Sequence, residues 1–162
     1  GLSAAVKIGY RSEFSESGVI PVNQIVGCSF TDSLEYAIHA QSSNSPIIIQ
    51  NNTMVRVRDA GIFIEMGSFV SKISNNAIIG VRISELHPVM TNEASASVRI
   101  PNFAGIRMDD RPVLMINNVV AGSNDIGIYH FGDSCTSPRI LNNEAFAAVM
   151  GVFIITSTGQ CQ

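Results

Sequence analysis

Four stretches of this chain end in the same dipeptide at nearly even intervals. They are Ile49-Gln50-Asn51-Asn52, Ile73-Ser74-Asn75-Asn76, Met115-Ile116-Asn117-Asn118 and Ile140-Leu141-Asn142-Asn143, with Ile25-Val26-Gly27-Cys28 as a fainter copy. The steps from Cys28 to Asn52 and from Asn52 to Asn76 are 24 and 24. The step to Asn118 is 42, and from there to Asn143 it is 25. A fixed period with one long interruption is an internal repeat, which constrains the fold more than any local propensity does. A second marker keeps the same beat. Ala37-Ile38, Gly61-Ile62, Gly105-Ile106, Gly127-Ile128 and Gly151-Val152 follow the first marker by 9, 9, 29, 9 and 8 residues. About twenty extra residues therefore enter between Asn76 and Gly105, and residues 81–100 are read as an inserted loop.

A period in the low twenties, rich in Ile, Val, Asn and Gly, suits an all-β chain. The architecture expected is a right-handed parallel β-helix, a solenoid of about six coils of ~24 residues. The alternative, a leucine-rich repeat, lacks its leucine pattern. Stacked coils place equivalent residues ~4.8 Å apart. Ile38, Ile62, Ile106, Ile128 and Val152 then form an inward column of β-branched side chains. Asn52, Asn76, Asn118 and Asn143 form an amide ladder at a bend, and Cys28, at the same phase, is expected to be a buried free thiol. Val6-Lys7-Ile8 resembles the strand of an earlier coil.

Composition narrows the function. Hydrophobic residues make up 46% and charged residues 14%, with a net charge of −3, as suits stacked coils that hide much of their surface. There is no basic stripe to bind nucleic acid. The longest apolar run, Ala145 to Ile155, is too short to cross a bilayer. The chain opens on Gly1, and the expectation is a single β-helix segment, residues 1–162, of a larger protein.

The last third resembles a known family. Asn117-Asn118-Val119-Val120-Ala121-Gly122-Ser123, followed by Gly127-Ile128-Tyr129-His130 and Cys135, is similar to fibrocystin and fibrocystin-like proteins. So is Asn142-Asn143-Glu144-Ala145, followed by Gly151-Val152 and Cys161. The specific likeness covers residues 103–161. Residues 19–80 match only the general β-helix repeat, and residues 1–18 and 81–100 match nothing in the family. Phe146 stands where the family usually has His. The resemblance implies a very large cell-surface or secreted protein with parallel β-helix repeats, in an extracellular, ciliary or plasma-membrane setting. It brings no catalytic residue and no cofactor. The partners it implies are neighbouring domains or other extracellular chains, with glycans as a further class.

β-Helices also cleave acidic glycans, which requires clustered carboxylates for acid/base work or for Ca²⁺. Asp109-Asp110, beside Arg111-Pro112, is the local acidic cluster, and it reads first as a polar turn. His39 is expected to point outward, His130 inward among aliphatics, and His87 lies in the insertion, so no histidines share a column and no zinc spacing exists. The leading reading is non-catalytic and structural, with a glycan-binding or glycan-cleaving β-helix as the alternative. After the inward column comes His39, Phe63, Arg107, Tyr129 and Phe153. Strand alternation turns this set outward, as an exposed stripe for a partner, a glycan or the insertion, with Arg107 stacked between Phe63 and Tyr129.

Two modifications are expected of an extracellular chain. Asn51-Asn52-Thr53 is an N-glycosylation acceptor with Asn51 turned outward. Cys135 lies 8 after Gly127 and Cys161 lies 10 after Gly151, close to one coil apart, so the two are expected to form a disulfide. Such a bond would stabilise the last coil by ~3 kcal/mol.

Overall fold

The computed structural model describes residues 4–9, 22–41, 46–65, 70–82, 103–109, 114–132 and 139–156. Its strands repeat in a fixed rotation. β1 (Ala4–Ile8) stands before the first complete coil, which is β2 (Asn23–Val26), β3 (Ser29–Thr31) and β4 (Tyr36–Ala40). The second coil is β5 (Ile47–Gln50), β6 (Thr53–Val55) and β7 (Ala60–Ile64). The third is β8 (Val70–Ser74), β9 (Ala77–Ile79) and β10 (Ala104–Met108). The fourth is β11 (Leu114–Ile116), β12 (Val119–Ala121) and β13 (Ile126–Gly132), and the fifth β14 (Arg139–Leu141), β15 (Glu144–Phe146) and β16 (Met150–Thr156).

Each strand pairs in parallel with its counterpart one coil away. Sheet A runs β1-β4-β7-β10-β13-β16, sheet B β14-β11-β8-β5-β2, and sheet C β15-β12-β9-β6-β3. This is the parallel β-helix that the period implied. Val81 is fully buried and Arg82 still bridges Arg58 of the coil before, so the coil continues through Arg82 rather than breaking at 81. Most of the expected insertion lies outside the described residues. So do His87, Asp110, Cys135 and Cys161. The last described register before the two cysteines pairs Gly132 with Thr156.

The Asn-Asn dipeptide divides its work between two conformational demands at the corner from sheet B to sheet C. Its first member turns the chain through the left-handed region: Gly27, Asn51, Asn75, Asn117 and Asn142 have φ of 68°, 56°, 54°, 55° and 52°. Glycine and asparagine are the residues that enter this region at least cost. Its second member points inward and builds the ladder. Asn118 Oδ1 accepts from Asn76 N at 3.1 Å and from Asn76 Nδ2 at 2.9 Å. Asn76 Oδ1 does the same for Asn52, at 3.0 and 2.9 Å, and Asn143 Oδ1 for Asn118, at 2.9 and 2.8 Å. Each Nδ2 also donates to an aliphatic carbonyl of the preceding coil: Ile25 from Asn52, Ile49 from Asn76, Ile73 from Asn118 and Met115 from Asn143. These buried amides are thus satisfied entirely by protein, as burial requires.

Cys28 departs from expectation. It is exposed, and its Sγ reaches only Val26 O, at 3.6 Å. The ladder finishes instead on its backbone N–H, which donates to Asn52 Oδ1 at 2.9 Å. β2 and β3, which flank Cys28, are the terminal strands of sheets B and C, so among the described residues no further strand of either sheet stacks over it.

The second marker has its own cause. A Cβ on Gly61 would sit 2.7 Å from Ile78 Cγ2, and one on Gly127 would sit 2.6 Å from Ala145 Cβ. One on Gly105 would collide with Val120. The starts of β7, β10 and β13 thus run directly against the inward residue of sheet C, and only a very small residue fits there, whereas at Gly151 of β16 the nearest atom to such a Cβ is 3.7 Å away. Beyond it, Ile38, Ile62, Ile106 and Ile128 are wholly buried in one continuous core with Ile49, Ile73, Met54 and Ile78.

Asn118→Ala removes two donors and leaves the N–H groups of Asn76 without their acceptor. It is expected to destabilise the fold by about 3 kcal/mol, since each orphaned buried group costs roughly 1–3 kcal/mol. Its neighbour Asn117 is exposed and serves only the left-handed corner, so Asn117→Gly should change stability by less than about 0.5 kcal/mol. Urea unfolding of both variants checks this, and equal losses would contradict the division of labour.

Candidate functional site

The outer face of sheet A collects the polar and aromatic side chains that the core excludes. His39, Phe63, Arg107, Tyr129 and Phe153 are register partners on β4, β7, β10, β13 and β16, one per coil. Strand spacing brings their planes within stacking reach. His39 and Phe63 stack at 5.0 Å with 9° between rings, and Tyr36 packs against both, at 5.1 and 5.0 Å. The Arg107 guanidinium lies 4.7 Å from the Phe63 centroid and 5.9 Å from that of Tyr129. Tyr129 and Phe153 continue the stack at 6.0 Å and 20°. A guanidinium between two rings is held by their negative faces and keeps its edge free for hydrogen bonds.

Acidic residues two positions further along the strands meet that edge. Arg107 Nε and Nη2 donate to the two carboxylate oxygens of Asp109, at 3.0 and 2.7 Å. His39 Nε2 lies 2.8 Å from Glu65 Oε1, one coil away. Sequence reasoning missed both pairs. The signal was present, because alternation puts residues 107 and 109 on the same face.

The stripe was expected to be exposed, and this is corrected. His39 is 4% exposed, Phe63 7% and Tyr129 1%. Each ring covers the face of its neighbour, and a flanking outward column of Ala60, Ala104 and Ile126 closes against them. Ala104, Ile126 and Tyr129 form a second apolar cluster, with Phe131 and Phe153 packed on it. Phe63 and Tyr129 therefore present no open ring face on which a sugar could stack. His130, by contrast, takes the inward position expected of it, buried between Met108 and Ile154 in register.

Burial changes the phenols. The Tyr129 hydroxyl is pushed above its usual value near 10 first by desolvation, then by the charge of Asp109, against an opposing pull from Arg107. Tyr36 is raised mainly by burial, with Asp59 adding to it. Among the described residues, no group of three or more His, Cys, Asp or Glu is placed to hold a metal ion.

Residues 14–162 match the family model described as the right-handed beta helix region. Over 138 residues the chain is 29% identical to fibrocystin of Canis lupus familiaris, a match that covers 83% of this chain and 3% of that protein. The chain thus spans a small part of the length of that relative. No solved structure gives a significant match. The match to fibrocystin, at 138 residues, is longer than residues 103–161, where the motifs carried that likeness.

The raised phenols set a pH dependence. Their folded pKa values lie above the unfolded ones, so their contribution is fully present below about pH 10 and is lost as pH rises beyond it. Tyr129→Phe, which cannot ionise, is expected to lose less stability than wild type between pH 9 and 11 in urea unfolding. Parallel decline of the two proteins would show that this phenol is not the source.

Proposed function

The chain belongs to the right-handed beta helix family, and from that premise we propose that it is a non-catalytic structural and interaction segment of a large extracellular protein similar to fibrocystin. The cell surface, including the cilium, is the setting proposed for it, and neighbouring domains or other extracellular chains are its proposed partners. One observation carries the interaction role. The inward column is wholly buried at Ile106 and Ile128, yet in the fifth coil Val152 is 46% exposed and Ile154 48%. Leu141, Phe146 and Met150, on the same three terminal strands, are 49%, 54% and 42% exposed. Val152 and Ile154 lie open in the inward column of the last described coil, and Leu141, Phe146 and Met150, from outward columns of the same three strands, extend this into an apolar surface suited to packing against a further element.

The pairing of Asp109 supports a non-catalytic reading. Both its carboxylate oxygens are held by Arg107, so neither is positioned to take a proton from a substrate. Incubation with acidic polysaccharides is expected to release no reducing or unsaturated ends. Cleavage abolished by Asp109→Asn would replace the structural reading with the glycan-cleaving one.

An extracellular setting also makes Asn51 a proposed glycosylation site. Asn51 and Thr53 are exposed while the intervening Asn52 side chain is turned into the ladder, so a glycan on Asn51 leaves the amide bonds intact. The same compartment would allow the Cys135–Cys161 disulfide to persist. Intact mass of protein secreted from eukaryotic cells is expected to fall on glycosidase treatment, and the shift should vanish in Asn51→Gln. An unchanged mass in wild type would remove this support for the extracellular reading.

A further inference from the structure

Three arginines meet where the chain leaves sheet C. Arg56 is the left-handed corner residue after β6, with φ of 53°, and Arg58 follows it. Arg82 is the bridge partner of Arg58 one coil on, so the two backbones lie about one strand spacing apart, ~4.8 Å. Both side chains are exposed and border a groove of about 310 Å³ shared with Asp32, Ser33 and Leu34. The charges in this groove are unevenly matched. Arg56 is engaged through Nε and Nη2 by Asp32, at 2.6 and 2.7 Å, and those hydrogen bonds hold the Asp32 carboxyl below its usual range. Among the described residues no carboxylate pairs with Arg58 or Arg82. Two stacked like charges repel, and a tetrahedral oxyanion is the group whose geometry lets one atom cluster accept from two guanidinium forks at once.

We infer that this groove is an oxyanion site, in which Arg58 and Arg82 together grip a sulfate group carried on a sugar. The oxyanion chemistry follows from the arginine pair itself. That the carrier is a sulfated glycan rests on the extracellular reading above. Leu34, which borders the groove and is 65% exposed, gives a sugar ring an apolar surface beside the charged group.

Calorimetric titration of the purified chain with a sulfated disaccharide tests it, with the desulfated disaccharide and a phosphorylated sugar as companion ligands. The sulfated ligand is expected to bind, to weaken as salt rises, and to lose at least tenfold in affinity in Arg58→Ala/Arg82→Ala. Lys7→Ala/Lys72→Ala, which removes the same charge elsewhere, should retain binding. Because Arg58 and Arg82 are exposed, unchanged thermal unfolding of the first variant will show that it is folded. No binding, equal binding of the desulfated ligand, or equal loss in the lysine variant would overturn the site. Equal binding of the phosphorylated sugar would uphold the oxyanion site and overturn its assignment to sulfated glycans. The titration does not depend on where the protein resides, so its failure is separable from failure of glycosylation at Asn51.

Discussion

The amide ladder is the interaction on which the rest of the coil depends. At the corner from sheet B to sheet C the backbone turns too sharply to keep its strand pairing, and buried N–H groups must find acceptors elsewhere. Asn52, Asn76, Asn118 and Asn143 supply them: the last three oxygens accept from both the main chain and the side chain of the asparagine one coil before, and Asn52 Oδ1 accepts from the Cys28 main chain. Because every amide also donates to a carbonyl of that preceding coil, a slip of one residue anywhere would break bonds on two levels. The ladder therefore sets the register of all three sheets. The repeat holds across the longest step, where Asn118 follows Asn76 by 42 residues and the bond is still made at 2.9 Å.

With register fixed, stacking follows on both faces. Inside, aliphatic columns fill the coil and leave room at its tightest approach only for glycine or alanine. Outside, sheet A repeats the same physics with different chemistry: rings, a guanidinium and a histidine stack one per coil, and Asp109 and Glu65 are the partners of the guanidinium and the imidazole. This face becomes a second packed layer. Two other parts of the surface remain chemically unfinished. One is the apolar end formed by β14, β15 and β16, and the other is the arginine groove at the end of sheet C. Both suit the structural and interaction role proposed for the segment.

Much of the site was legible in the period itself. Asp32 and Arg56 are 24 residues apart, as are Arg58 and Arg82, so simple addition of one coil predicts both neighbours. The second corner of each coil was not legible. Asp32, Arg56, Gly80, Gly122 and Ala147 all take positive φ there, yet these five positions carry four different residue types. The surrounding strands hold Arg56 and Ala147 in a conformation that costs them roughly 1–2 kcal/mol each. Sheet C was missed as a separate sheet for the same reason, since its strands are three residues long and carry no repeated residue beyond an inward apolar position.

The sequence by itself determined the period, the fold class, the inward columns and the ladder, because each is a demand that one residue position makes on its own in every coil. Asparagine meets the corner, β-branched residues meet the pleat, and glycine meets the close approach. Tertiary structure alone decided which outward positions are exposed. Alternation along a strand distinguishes inside from outside, but burial outside depends on what lies beside and above. Tyr129 and Cys28 show the two outcomes: a ring expected in solvent is buried by its stacked neighbours, and a thiol expected in the core is exposed at the corner between the terminal strands of sheets B and C.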